Sequence, residues 1–94
     1  MTTVGLSTRE RILRYASGLL TPDDRQEPVK VAAAALPLLE WAEQAADNDD
    51  LEARMHAMSQ HHVNTHDARE RSPGQFVDEA EILYAFLVGG GSGG

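Results

Sequence analysis

Between Val29 and Ala46 the chain reads VKVAAAALPLLEWAEQAA, and Val31, Ala34, Ala35, Leu38, Trp41, Ala42 and Ala45 recur there at helical spacing. Residues three and four apart share one side of an α-helix, so this stripe predicts a central helix with an inward apolar face. Glu40, Glu43, Gln44 and Asp47 fall on the opposite, solvated face. Pro37 interrupts the pattern. It lacks an amide hydrogen and its ring crowds the carbonyl four residues back, at a cost of about 3 kcal/mol in a helix interior. The stripe keeps its phase across Pro37, which a helix restart would lose. The expectation is one continuous helix, kinked at Pro37 and wrapped round a small core.

The flanking segments carry start signals. Ser7-Thr8-Arg9-Glu10 has capping-box spacing, in which a hydroxyl and a carboxylate each satisfy a backbone amide at a helix start. Ile12, Leu13, Ala16, Leu19 and Leu20 then predict a first helix over Thr8 to Leu20, with residues 1–6 frayed. Thr21-Pro22-Asp23-Asp24 offers a cap, a proline suited to the first helical position and two acids at the positive end of the helix dipole. Pro28 limits that segment to a single turn. Asp47-Asn48-Asp49-Asp50 ends the central helix and opens the next, with Asp49 and Glu52 at capping-box spacing. So short a connection implies antiparallel neighbours.

The third helix places Leu51, Met55, Met58 and His62 on one line and fades near Val63 or Asn64. Thr65 to Arg71 is polar and unpatterned, the expected flexible loop. Ser72-Pro73-Gly74-Gln75 opens a fourth helix, whose apolar line is Phe76, Ala80, Leu83 and Leu87. Val77, Ile82, Tyr84 and Phe86 widen that arc beyond a usual amphipathic stripe. Gly89 stops it, and GGGSGG at the end reads as a flexible Gly/Ser tail over 89–94 with the composition of an expression-vector linker. The pattern predicts an all-α fold: a compact bundle of four main helices in a single domain over 1–88.

Composition narrows the function classes. Ninety-four residues without cysteine exclude disulfides, thiolate metal sites and cysteine nucleophiles. No stretch nears the roughly 18 apolar residues of a membrane span, and the N-terminus lacks signal-peptide character, so a cytoplasmic protein is expected. Seven arginines against one lysine, with thirteen alanines, have the look of a high-GC bacterial composition. The net charge of −7 is uneven. Arg9, Arg11 and Arg14 oppose only Glu10 in the first helix, whereas eight acids between Asp23 and Asp50 face Arg25 and Lys30. An acidic body argues against a nucleic-acid partner, whose footprint would be basic.

Candidate chemistry is sparse. His62 and His66, four apart, would share a helical face, with Glu52 and Asp67 as oxygen donors. Against a metal site stand the absence of an HExxH pattern and the continuity of His62 with the Leu51, Met55, Met58 stripe, which reads as a histidine at the core edge. The serines lack an activated-nucleophile signature, the glycines form no phosphate loop, and no Asp-Ser-Leu carrier site is present. No catalytic residue, cofactor or metal is assigned. The surplus apolar surface points instead to an interface. The leading expectation is a non-catalytic protein-interaction or regulatory module of inhibitor, antitoxin or immunity type. It would meet a basic protein partner or a second copy as a homodimer, with Phe76, Leu83, Phe86 and Leu87 as interface residues. A histidine-based metal-binding protein is the alternative, and a DNA-binding regulator using Arg9, Arg11 and Arg14 ranks last.

Overall fold

The first helix, α1, spans Leu6–Ser17 and begins ahead of the expected capping box. Its N-cap is Gly5, with no side-chain cap, and the Arg9 amide donates to the Gly5 carbonyl at 3.0 Å. Ser7 already lies inside the helix. The cause is Val4, 4 % exposed and part of the core, whose carbonyl also accepts from Arg9 Nε at 3.2 Å. Burying Val4 draws the chain in two residues early, so the segment expected to fray contributes a core residue instead. At the other end α1 stops at Ser17. The Leu19 and Leu20 amides fold back three residues to Ala16 and Ser17, and both leucines pack against the core from outside the helix.

This computed structural model describes residues 3–65 and 71–89. The one-turn helix α2 spans Pro22–Arg25, with Thr21 Oγ1 accepting from the Asp24 amide at 3.2 Å as its sequence implied. The central helix α3 spans Pro28–Glu43, with Pro28 as its first residue and Glu27 extended ahead of it. It runs through Pro37 without ending. The amide that Pro37 lacks would have bonded the carbonyl of Ala33, an exposed residue, so water can satisfy that carbonyl.

Helix α4 spans Asn48–Asn64. Its cap is Asp47, accepting from the Asp50 amide at 2.8 Å, and not Asp49. Asp50 returns the favour one residue further out, its carboxylate accepting from the Ala46 amide at 2.8 Å. This reciprocal pair uses two orphan amides at once, which an Asp49 start would leave open. Helix α5 spans Pro73–Leu87, opened by Ser72 Oγ accepting from the Gln75 amide at 3.1 Å. Gly89 closes it at φ 78°, the left-handed conformation that glycine adopts without steric cost.

Helix makes up 78 % of the described residues, with no strand among them. The expectation of an all-α fold is met at that level. Helix α3 packs against each of the other four, and α4 lies along α5. The stripe read from the sequence is the one α3 buries: Ala34, Ala35, Leu38, Trp41 and Ala42, with Ala45 just beyond the helix end. Ile12, Leu38, Met58 and Phe76 are the largest fully buried side chains, one from each long helix. Each full burial contributes about 1.5–3 kcal/mol. The result is a compact globule with a radius of gyration of 13.0 Å.

Candidate interaction surface

Two polar clusters pin α5 in place and so decide which of its faces looks outward. The first joins the end of α3, the start of α4 and the C-terminal end of α5. Asp50 accepts from the Tyr84 hydroxyl, from the Ala46 amide and from Arg54 Nε at 3.4 Å. Arg54 also donates to the Trp41 carbonyl at 2.9 Å, and its guanidinium lies over the rings of Trp41 and Tyr84 at 4.9 and 4.8 Å. Those two rings meet edge to face at 5.6 Å. The Tyr84 hydroxyl, with help from the backbone amide, holds the Asp50 carboxyl below its ordinary range; the same bond raises the Tyr84 phenol. The buried Trp41 Nε1 has no hydrogen-bond partner among the described residues, a cost of about 1–3 kcal/mol.

The second cluster ties the far end of α4 to the start of α5. Glu79 Oε1 sits 2.8 Å from His61 Nε2 and accepts from Arg71 Nε at 2.6 Å. The His61 hydrogen bond, followed by Arg71, keeps the Glu79 carboxyl below its usual range. An ionised carboxylate can only accept, so Nε2 carries the proton. The His61 ring packs on Phe76 at 4.9 Å. The sequence pattern singled out His62 and missed His61. Its signal was there: His61 lies three residues after Met58 and four after Ala57, both fully buried.

The other histidines do not assemble. His62 is half-buried, its ring tilted against Tyr15 at 5.1 Å, and His66 and Asp67 lie outside the described residues. His56 pairs with Glu52 at 3.6 Å on the surface. Among the described residues no group of three or more potential ligands could hold a metal ion. The arginines of α1 also separate. Arg9 reaches toward Glu43 at 3.8 Å and the Val4 carbonyl, Arg11 is half-buried beside Met55 and His56, and Arg14 is exposed with no ion pair among the described residues.

With α5 so fixed, the residues named from its pattern divide. Phe76, 1 % exposed, fills this chain's own core, its ring packed on that of His61. Leu83 is half-buried against that core. Phe86 and Leu87 are exposed, at 78 % and 50 %. Leu87 faces Asp49, Glu52 and His56 of α4. Phe86 instead joins Ile82, 71 % exposed, and Ala85 in an outward stripe. One turn earlier the same stripe carries exposed Asp78 and Glu81. Ile82, which the sequence placed only in the widened arc of α5, stands exposed in this stripe.

A second apolar surface lies between α1 and α3. Leu6, Leu13, Leu36 and Leu39 line a groove of about 340 Å³ together with Arg9, Ile12, Ala32 and Ala35. Leu6, Leu13 and Leu36 are all exposed. Two polar hollows of about 420 and 360 Å³ lie along α4 and share Glu52 and His56 in their lining. No described helix is long and apolar enough to cross a membrane. The chain matches no protein-family model, no curated protein and no solved structure.

Proposed function

We propose that this protein is a small, non-catalytic helical interaction module, a compact bundle of four main helices that acts by binding another protein. The carrying observation is the outward stripe of α5, where Ile82 and Phe86 stand exposed although the same helix is anchored on its other side by Phe76, Ala80, Tyr84 and Glu79. Exposed apolar surface of this kind marks a binding site on a small soluble domain. Acids adjoining the stripe favour a partner with a basic surface, attracted over distance and then held by apolar contact. A bend of α3 at Pro37 serves this reading by curving the helix round the core. An inhibitor, antitoxin or immunity-like role in a bacterial cytoplasm is the concrete form.

The test is affinity capture from cells of the source organism with two baits, the wild-type chain and the Ile82→Asp, Phe86→Asp variant. A basic protein retained by the first, lost from the second and released by salt supports the reading. Identical captures from both baits refute it.

A further inference from the structure

The outward face of α5 is acidic toward one end and apolar toward the other. Asp78, Ile82 and Phe86 are spaced four apart and form one ridge along the helix, about 12 Å from first to last. Glu81 and Ala85 form the neighbouring row, in which the small alanine leaves a low place beside Ile82 and Phe86. All five residues are exposed. Asp78 and Glu81 have no ion pair among the described residues, and Pro73–Leu87 contains no basic residue to answer them. The basic side chains that reach α5 are already engaged, Arg71 and His61 by Glu79 and Arg54 by Asp50.

The backbone decides what kind of element can cover such a face. Amides inside a helix are bonded within it, so α5 offers a partner side chains there and no open main-chain groups. An extended segment laid on Ile82 and Phe86 would bury amides and carbonyls that find no acceptor or donor. A second helix satisfies its own backbone and packs its rows against these. Asp78 and Glu81 set its charge, and the helix dipole sets its direction. Cations are most stable in the last turn of a helix, so the partner's C-terminal end belongs over Asp78 and Glu81. Its apolar residues, one turn earlier, then lie over Ile82 and Phe86. We propose that the outward face of α5 docks an amphipathic α-helix of the partner protein, antiparallel to α5, with an apolar pair four residues apart followed one turn later by arginine or lysine. The inference rests on the reading of this face as a docking surface and names the element and polarity of its occupant.

Synthetic helix-forming peptides of about 18 residues, titrated against the full chain, test this. The first carries two leucines four apart and then two arginines. The second has the arginines ahead of the leucines, the third has glutamates for arginines, and the fourth has a proline at its centre. Fluorescence anisotropy of the labelled peptides reads affinity. The first peptide binds the wild type best, and Phe86→Asp weakens it by roughly thirtyfold, the loss of one central anchor. Asp78→Lys with Glu81→Lys weakens it by about two- to tenfold at low salt and makes the glutamate peptide the better ligand. All three positions are exposed, and circular dichroism melts matching the wild type show that the variants fold. Equal binding of the first and second peptides overturns the antiparallel direction. Equal binding of the proline peptide, or no binding by any peptide, overturns the helix. Sedimentation of the chain alone covers the other occupant: self-association that Phe86→Asp abolishes overturns the inference in favour of a second copy. Failure of every peptide while the basic protein is still captured from cells overturns this inference and leaves the docking reading of α5 standing.

Discussion

Replacing Asp50 by alanine should cost this fold more than any other single polar change. The carboxylate gathers three donors from three places: the Tyr84 hydroxyl on α5, the Ala46 amide after α3 and Arg54 on its own helix. Its side chain is 18 % exposed and that of Arg54 13 %, so water replaces these bonds poorly. A hydrogen bond to a charged group is worth about 1.5–3 kcal/mol. The Ala46 amide is near the surface and recovers part of its loss. Arg54 keeps the Trp41 carbonyl and its two aromatic faces. The sum is about 2–4 kcal/mol, or roughly 10–25 °C in melting temperature for a domain of this size. Tyr84→Phe removes one of the three bonds and should cost about 1–2 kcal/mol. Urea titration followed by Trp41 fluorescence measures both, and the double variant gives their coupling. The pH dependence has a definite sign. The folded Asp50 carboxyl is depressed, so its contribution is present at neutral pH and lost as pH falls below the ordinary carboxylate range. Tyr84 is raised, so its contribution holds at neutral pH and is lost as pH rises through its folded value. A cost below about 1 kcal/mol for Asp50→Ala, or additive single variants, would refute this account of the α4–α5 seam.

Three further outcomes follow from the geometry. A Cβ at Gly18 would stand 2.8 Å from His62 Cε1, so Gly18→Ala should destabilise by about 1–3 kcal/mol; much of that loss should vanish in a His62→Ala background, as thermal melts of the four chains will show. Glu79→Gln should cost about 1–2 kcal/mol by weakening the bonds to His61 and Arg71, and should flatten the acid limb of a stability profile, since a depressed carboxyl contributes above its unfolded range and loses that contribution as pH falls. Stoichiometric zinc should leave the melting temperature unchanged, whereas zinc at 100 times its dissociation constant would add about 2.7 kcal/mol if a site existed; a rise of that size, lost in His62→Ala and His66→Ala, would restore the metal reading.

The helices were legible wherever one periodic stripe met one core. All seven positions of the central stripe are buried or half-buried, because period 3.6 is a local property and burial follows from it. Thr21 and Ser72 cap as read, since each precedes a proline that fixes the first turn. Ser7 and Asp49 fail as caps for a tertiary reason. Burial of Val4 moves the start of α1, and the reach of Asp50 to Tyr84 and Ala46 moves the start of α4. Val4 is close in sequence to Ser7, but its burial, like the bond from Asp50 to Tyr84 across 34 residues, is a tertiary contact that local spacing does not reveal. His61 was overlooked for the same reason, since its acceptor lies 18 residues away. The candidate surface was half legible. A wide apolar arc on α5 is visible in the sequence, but which part of it faces inward depends on Tyr84 and Glu79 finding Asp50 and His61.

That dependence separates folding from binding on a single helix. Helix α5 is held by Phe76 and Ala80 in the core and by two carboxylate-centred clusters, one near each end. None of these uses Ile82 or Phe86. The outer stripe therefore contributes little to the folded state, and its exposed apolar area favours aggregation unless something covers it. The net charge of −7 opposes nonspecific association, and the acids beside the stripe oppose the symmetric pairing of two copies through this face. What remains favourable is a surface that is apolar at its centre and basic at its edge. Substitutions on the stripe should thus change association without changing the melting temperature of the isolated chain, and substitutions at Asp50 or Glu79 should do the opposite.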